Sequence, residues 1–284
     1  MRDPKIMSSF LHATFASPRT ALPFPICRLG LATRGDSRLT ADDVGFAVAK
    51  GVNFLNWCGA ADGLSAFVAE LGRRRETLAV CVQFEARTAS EAKDEFENIL
   101  RQLHTDYVDA LTFYYVEERA EWHQILGSGG AMEYCRAAQR DGRIRAIGAT
   151  SHQRPLAAEM ASSGQLDAIM IRYNAAHRGA ETEIFPTTSE RGIPVIVYTC
   201  LRWGALLRPT PDDPPDFAIP VAPEWYRFAL QHPAVTVALM APHNRVELEE
   251  NLRPMNDLHP LSDEEYARLA EHGQRVRHHA GQFP

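Results

Sequence analysis

Short apolar runs alternate eight times with longer amphipathic segments along this chain, and that alternation limits the fold more than any other feature. The runs are Arg28–Thr33, Val52–Trp57, Leu78–Phe84, Tyr107–Tyr115, Ala146–Ser151, Ala168–Asn174, Val195–Cys200 and Val237–Ala241. They are rich in Val, Ile and aromatics with little polar alternation, as strands buried on both faces require. Between them lie predicted helices. Thr40 caps the first, whose apolar stripe runs through Val44, Phe46, Ala47 and Ala49 to a stop at Gly51. The others are Ser65–Arg74, Ala89–Leu103, Ala131–Asp141, Pro155–Ser163, Ala180–Gly192, Ala222–His232 and Arg245–Met255. A last helix, Ser262–Arg277, opens on a capping box between Ser262 and Glu265 and is expected to pack on the barrel as a lid.

Strand–helix alternation implies right-handed parallel crossovers, and eight such units favour closure into an α/β fold, the (β/α)8 TIM barrel. No GxGxxG follows a strand, which removes the main signal for a doubly wound dinucleotide fold. With 284 residues the barrel accounts for one domain, residues 27–284 including the C-terminal helix. Residues 1–26 read as an irregular N-terminal extension. The Pro-rich stretch Pro209–Pro223 reads as a substrate-side loop.

The net charge is −6, and no run of Lys or Arg exceeds Arg73-Arg74-Arg75, so no nucleic-acid partner is expected. No apolar run is long enough for a bilayer, and no basic-then-apolar leader is visible, so a cytoplasmic location without a membrane partner is expected. Cys27, Cys58, Cys81, Cys135 and Cys200 form no CxxC pair and read as reduced, buried thiols. No metal site is expected.

In such a barrel the chemistry sits at the C-terminal ends of the strands. Several segments there carry a resemblance: Gly51-Val-Asn-Phe54, Thr105-Asp-Tyr-Val-Asp109, Gly142-Arg-Ile-Arg-Ala-Ile-Gly148, Tyr173-Asn174, Gly192-Ile-Pro-Val-Ile-Val-Tyr198 with Leu201 and Gly204, His232-Pro-Ala-Val and Glu250-Asn-Leu252. In order and spacing, from Leu29 to Met255, the chain resembles the aldo-keto reductases. That family protonates a carbonyl with an Asp, Tyr, Lys and His tetrad while NADPH delivers hydride. The resemblance puts Asn56 at the Asp position, Ala61 or Asp62 at the Tyr position, Gln83 at the Lys position and Tyr114 at the His position. The resemblance therefore implies a divergent member that lacks the tetrad. No cation remains in those places to favour a phenolate.

The resemblance implies a cofactor, NADP or NAD, held by Thr150, Ser151, Tyr198, Thr199, Leu201, His243, Arg245, Glu250 and Asn251. Tyr198 would stack on nicotinamide. Met170 replaces the Gln of strand six, and Glu247 replaces a basic residue beside the phosphate loop. Arg245 also stands at helical spacing from Glu249, where an ordinary surface pair would form. For proton transfer the candidates are Tyr114 and His152, with Asn56 and Gln83 as polar positioning groups. Strand alternation puts Tyr114 and Tyr115 on opposite faces.

Trp57, Arg172, Asn174 and His177 are the substrate candidates; with Arg154, Arg178 and Glu117 nearby, the rim suits an anionic ligand. The expected function is an aldo-keto reductase-like oxidoreductase acting on a small organic molecule that can be anionic, with a non-standard acid–base group. The alternatives are a non-redox lyase, isomerase or cyclase, and a non-catalytic binding barrel. A His and an acid converging in the mouth would favour chemistry. A mouth closed by Trp57, Trp122 and Trp203 would favour a packed rim.

Overall fold

A computed structural model describes residues 10–33, 37–253, 255 and 258–279. Eight parallel strands close into a barrel: β1 (Leu29–Ala32), β2 (Phe54–Trp57), β3 (Ala79–Phe84), β4 (Val108–Phe113), β5 (Ile144–Ser151), β6 (Ala168–Arg172), β7 (Val195–Tyr198) and β8 (Val235–Met240). β8 pairs with both β7 and β1, so no edge is left open. The (β/α)8 barrel expected from the alternation is the fold observed.

Side-chain alternation divides the core in two. Phe54, Ala79, Cys81, Ala110, Ala146, Ala168, Met170, Ile196, Val237 and Leu239 fill the interior. Leu55, Val80, Val82, Leu111, Ile147, Ile169 and Ile171 face the helices. Each fully buried outer side chain is worth roughly 1.5–3 kcal/mol. The interior residues are small where space is short. A Cβ on Gly148 would lie 2.9 Å from the Ala168 carbonyl oxygen.

The segment before β1 is better packed than its sequence suggests. Residues 1–9 of the expected extension lie outside the described residues. From Phe10 on, the chain lies against the barrel floor. His12–Ala13 pairs antiparallel with Ile26–Cys27, and the buried Phe15 ring stacks on Phe54 at 5.8 Å. Arg19 Nε donates to the buried Asp167 carboxylate at 2.8 Å, and Ile147 N–H donates to the same side chain at 3.0 Å. These strands are two residues long, too short to leave a periodic signal.

The helices follow their caps. Thr40 and Thr88 accept the N–H of Asp43 and Glu91, in capping boxes that start Ala41–Ala49 and Ala89–Gln102. Three helical expectations change. Ser65–Arg74 is instead Gly63–Ala69 followed by a 3-10 segment, Gly72–Thr77. Ala180–Gly192 breaks at Ile184 into two short helices, with Pro186 near the start of the second. Helix Arg119–Leu126, in the connection after β4, was not foreseen. The C-terminal helix, Asp263–His279, packs tightly on the loop after β6. A Cβ on Gly273 would meet the Ala175 backbone at 2.6 Å.

Candidate active site

At the C-terminal ends of the strands the barrel opens into a cavity of about 1490 Å³. Alternation turns the last inward residues toward it: Asn56 from β2, Gln83 from β3, Thr150 from β5, Arg172 from β6 and Tyr198 from β7. All four proton-transfer and positioning candidates (Tyr114, His152, Asn56 and Gln83) line this one cavity. Among the described residues no lysine does.

Tyr114 and Tyr115 do not sit on opposite faces. β4 ends at Phe113, and Tyr115 takes a left-handed φ of 44°, so alternation no longer applies. Both rings line the cavity and stack at 3.8 Å. The turn is held from two sides. Tyr115 N–H donates to Thr150 Oγ1 at 2.7 Å, and Arg87 Nη2 donates to the Tyr114 carbonyl at 2.7 Å. Burial pushes the Tyr114 phenol well above its ordinary pKa, and the Tyr115 hydroxyl adds to the shift.

His152 lies just past β5. Its Nδ1 is 3.2 Å from Glu117 Oε1, and its backbone N–H donates to the same oxygen at 2.8 Å. Glu117 is itself placed by the unforeseen helix, since its N–H donates to Glu121 Oε2 at 2.9 Å. The same carboxylate oxygen thus stands against the backbone and the ring, and that ring lies against the Tyr115 ring at 4.3 Å. Burial lowers the imidazole pKa; Glu117 opposes this and Arg172 reinforces it. A His and an acid therefore do converge here.

Asn56 is buried. Its Nδ2 donates to Cys58 Sγ at 3.4 Å, while its Oδ1 has no hydrogen-bond partner. Cys58 lines the cavity and is only partly buried, unlike the other four cysteines. Asp62, near the expected tyrosine position, is used as a helix cap and accepts Ser65 N–H at 2.9 Å. Trp57 lies in the cavity wall with its Nε1 donating to the Ala60 carbonyl. Trp203 is 54% exposed at the rim, and Trp122 is buried away from the lining, so the three tryptophans do not close the mouth.

On the cofactor side Thr150, Tyr198, Thr199, Leu201, His243, Glu250 and Asn251 all line the cavity. Tyr198 Oη is buried without a hydrogen-bond partner. Ser151 and Arg245 are not in the lining. Ser151 Oγ accepts the Gln153 N–H at 3.0 Å. Arg245 pairs with Glu249 at 2.7 Å and Asp43 at 3.1 Å, with its guanidinium 3.7 Å from the Phe46 ring centroid. The surface pair won over the anion cradle because both carboxylates lie within its reach.

Of the substrate candidates, Trp57 and Arg172 line the cavity. Asn174 and His177 do not. Asn174 braces two strand ends, its Nδ2 donating to the Thr199 carbonyl at 2.9 Å and its Oδ1 accepting from Ala176 N–H. His177 lies 3.3 Å from Asn174 Oδ1, and burial, with Arg172 and Arg202 next in effect, pushes it down to about 4. The reading of the sequence missed Glu85, Arg208 and Tyr226 in the lining. Glu85 stands two residues past Gln83 and could have been found by alternation. Arg208 comes from irregular backbone after β7, where no periodicity points.

One group of three ligand-type side chains stands close together among the described residues: Asp212, His278 and His279, all exposed and outside the cavity lining. No described helix is long and apolar enough to cross a membrane.

This site shares its fold with known reductases. An aldo-keto reductase from Bacillus halodurans, in its holo form, superposes with a TM-score of 0.72 at 18% identity, covering 92% of this chain and 96% of that one. One from Klebsiella pneumoniae, in complex with NADPH, gives 0.72 at 18% identity, covering 91% and 95%. The NADH-specific methylglyoxal reductase of Escherichia coli (strain K12) is 28% identical over 114 residues, 40% of this chain but only 34% of that protein. A sequence profile of the aldo/keto reductase family matches residues 40–219. The chain belongs to the aldo/keto reductase family.

Proposed function

We propose that the protein is a nicotinamide-dependent oxidoreductase of small carbonyl compounds in which His152, held by Glu117, handles the proton. The observation that carries this reading is the 3.2 Å approach of Glu117 to His152 Nδ1 at the mouth of the cavity. Geometry of this kind holds a base in one tautomer and supports the imidazolium when it forms.

The cavity suits a nicotinamide dinucleotide. Its volume exceeds that of an ordinary small-molecule pocket, roughly 300–1,000 Å³. Tyr198 offers an aromatic face and a buried hydroxyl that lacks a protein partner, and Asn56 Oδ1 is a second such atom. Thr150, Thr199 and Leu201 would hold the nicotinamide and pyrophosphate side, and Glu250 with Asn251 the adenosine side. When bound in its reduced form, the dinucleotide supplies hydride to a carbonyl carbon. The NADPH named for the Klebsiella structure and the NADH named for the Escherichia coli relative support the assignment.

The chain's own residues do the rest. Asn56 and Gln83 present uncharged donors and acceptors that orient the carbonyl. His152 Nε2 carries the proton to the oxygen during reduction and takes it back during alcohol oxidation. Tyr114 is a weaker acid than an ordinary phenol here, because burial raises its pKa, and it serves as a hydrogen-bond donor.

The dinucleotide is NADH rather than NADPH. His243 Nδ1 is 3.1 Å from Glu247 Oε2 and Arg245 is paired with two carboxylates, so a ribose 2′-phosphate would meet Glu247 and Glu250 instead of cations.

The test is reduction of a panel of small aldehydes and oxo acids by NADH. Losing general acid catalysis lowers rates by about 10²–10⁴-fold, and that drop is expected for His152→Gln on any substrate the protein accepts. A variant as fast as the wild type would overturn the assignment of the proton to His152.

A further inference from the structure

Three ionised residues occur within the barrel strands: Asp109, Arg145 and Arg172. Asp109 and Arg145 meet each other at 2.5 Å, and alternation turns both outward from the interior positions Ala110 and Ala146. Arg172 differs. Ala168 and Met170 belong to the interior cluster, while Ile169 and Ile171 face the helices. The same alternation turns Arg172 inward, and it lines the cavity. Among the described strand residues it is the one ionised side chain directed into the barrel.

Its surroundings are mixed: burial lowers its pKa most, Arg154 and Arg202 also disfavour its charge, and Tyr198 and Glu117 favour it. Arg202 is buried on the turn after β7. Glu117 stands against both His152 and Arg172, and Glu183 is paired with Arg154 at 2.8 Å; neither lines the cavity. The carboxylates of the lining are Glu85 and Glu95, after β3, and Glu247 and Glu250, after β8. An anion entering the cavity is repelled at those sides and attracted at β6.

Register puts Arg172 beside the proposed chemistry. Arg172 is the direct neighbour of Tyr198 across β6 and β7, and Ile171 is the neighbour of Ser151, one residue before His152. Adjacent strands lie about 4.8 Å apart. A carboxylate on the guanidinium therefore brings an attached carbonyl to the side of the mouth where Tyr198 and His152 stand. A guanidinium also matches a carboxylate with two parallel hydrogen bonds, which an ammonium cannot do.

We propose that Arg172 is the carboxylate clamp of this cavity and that the substrates are oxo acids. The oxo-acid part rests on the reductase reading above; the clamp rests on the charge pattern alone. The experiment separates the two. Oxamate, and its neutral analogue oxamide, are titrated calorimetrically into the full chain without dinucleotide, and NADH is titrated in parallel.

Saturable 1:1 binding of oxamate is expected, with oxamide at least about tenfold weaker, since a charge-assisted pair is worth that much or more. Arg172→Gln is expected to lose about tenfold or more in oxamate affinity, and Arg172→Lys about threefold or more, because it keeps the charge but not the fork. Circular dichroism checks the fold of each variant, and if the Gln variant does not fold the Lys variant carries the test. No oxamate binding, equal binding of oxamide, or undiminished binding by the variants overturns the clamp. Oxamate binding without NADH binding leaves the clamp standing and removes the reductase reading; the reverse removes the clamp alone.

Discussion

Glu117 Oε1 accepts the backbone N–H of His152 at 2.8 Å and stands 3.2 Å from Nδ1 of the same residue. One carboxylate oxygen thus stands against both the backbone and the ring of His152. The proton-transfer proposal depends on that double contact, and it has a pH signature.

Burial holds the His152 pKa below its ordinary value of 6.5, with Glu117 opposing the shift. Reduction needs the imidazolium, so kcat/KM for reduction is expected to fall as pH rises through an inflection below 6.5. Oxidation needs the neutral ring and is expected to rise through the same value. Glu117→Gln removes the raising influence, so the inflection moves further into acid. A tyrosine donor would leave the profile level through neutral pH, since burial raises both Tyr114 and Tyr198. A level profile contradicts the assignment to His152.

The acidic surroundings of the adenosine end predict a choice of cofactor. His243 and Arg245 are both committed to carboxylates, and Glu247 and Glu250 line the cavity. NADH is expected to bind at least about tenfold more tightly than NADPH, a difference near 1.4 kcal/mol. Glu247→Gln should narrow the gap. Fluorescence titration of both dinucleotides against both proteins measures it.

Stability has a fixed point far from the chemistry. Asp109 is buried between Arg75 Nη1 at 2.7 Å and Arg145 Nη1 at 2.5 Å, and it also accepts Val80 N–H at 2.8 Å. Removing one partner of a buried ionic group costs about 3–5 kcal/mol, because the opposing charges lose their compensation. Asp109→Asn is expected to lower unfolding free energy by that order in urea titration. A change under about 1 kcal/mol would show the triad to be screened like a surface pair.

His177 gives the fold an acid-side dependence. Burial, then Arg172 and Arg202, push its pKa down to about 4, so the folded state prefers the neutral ring. A lowered histidine contributes stability fully present above the unfolded pKa, near 6.5, and lost as pH falls through the folded value. Stability should therefore rise between about pH 4 and 6.5, by roughly 1–3 kcal/mol. His177→Asn should flatten that slope, as measured by denaturant midpoints across the window.

The strands were legible because doubly buried strands write continuous apolar runs, and their inward ends then named Asn56, Gln83, Tyr198 and Arg172 correctly as cavity residues. Legibility failed where backbone leaves the repeat. The left-handed turn at Tyr115 brought two tyrosines to one side, and no composition rule signals a positive φ at tyrosine. Arg245, read both as a phosphate ligand and as a surface pair, stands against two acids, one of them Asp43 on another helix. Asn174, grouped with Arg172 and His177 at the end of the sixth strand, uses its amide to close a turn. The floor of the barrel was invisible because Phe15 acts through a single ring on Phe54.

The central claim is that this cavity holds a nicotinamide dinucleotide against Tyr198. Titrating NADH into the wild-type protein and Tyr198→Ala, followed by quenching of tryptophan fluorescence from Trp57 and Trp203, tests it most directly. Saturable binding is predicted with a Kd of about 1–100 μM, weakened about tenfold or more by the substitution. Quenching that never saturates up to about 1 mM, or identical curves for the two proteins, would contradict the account.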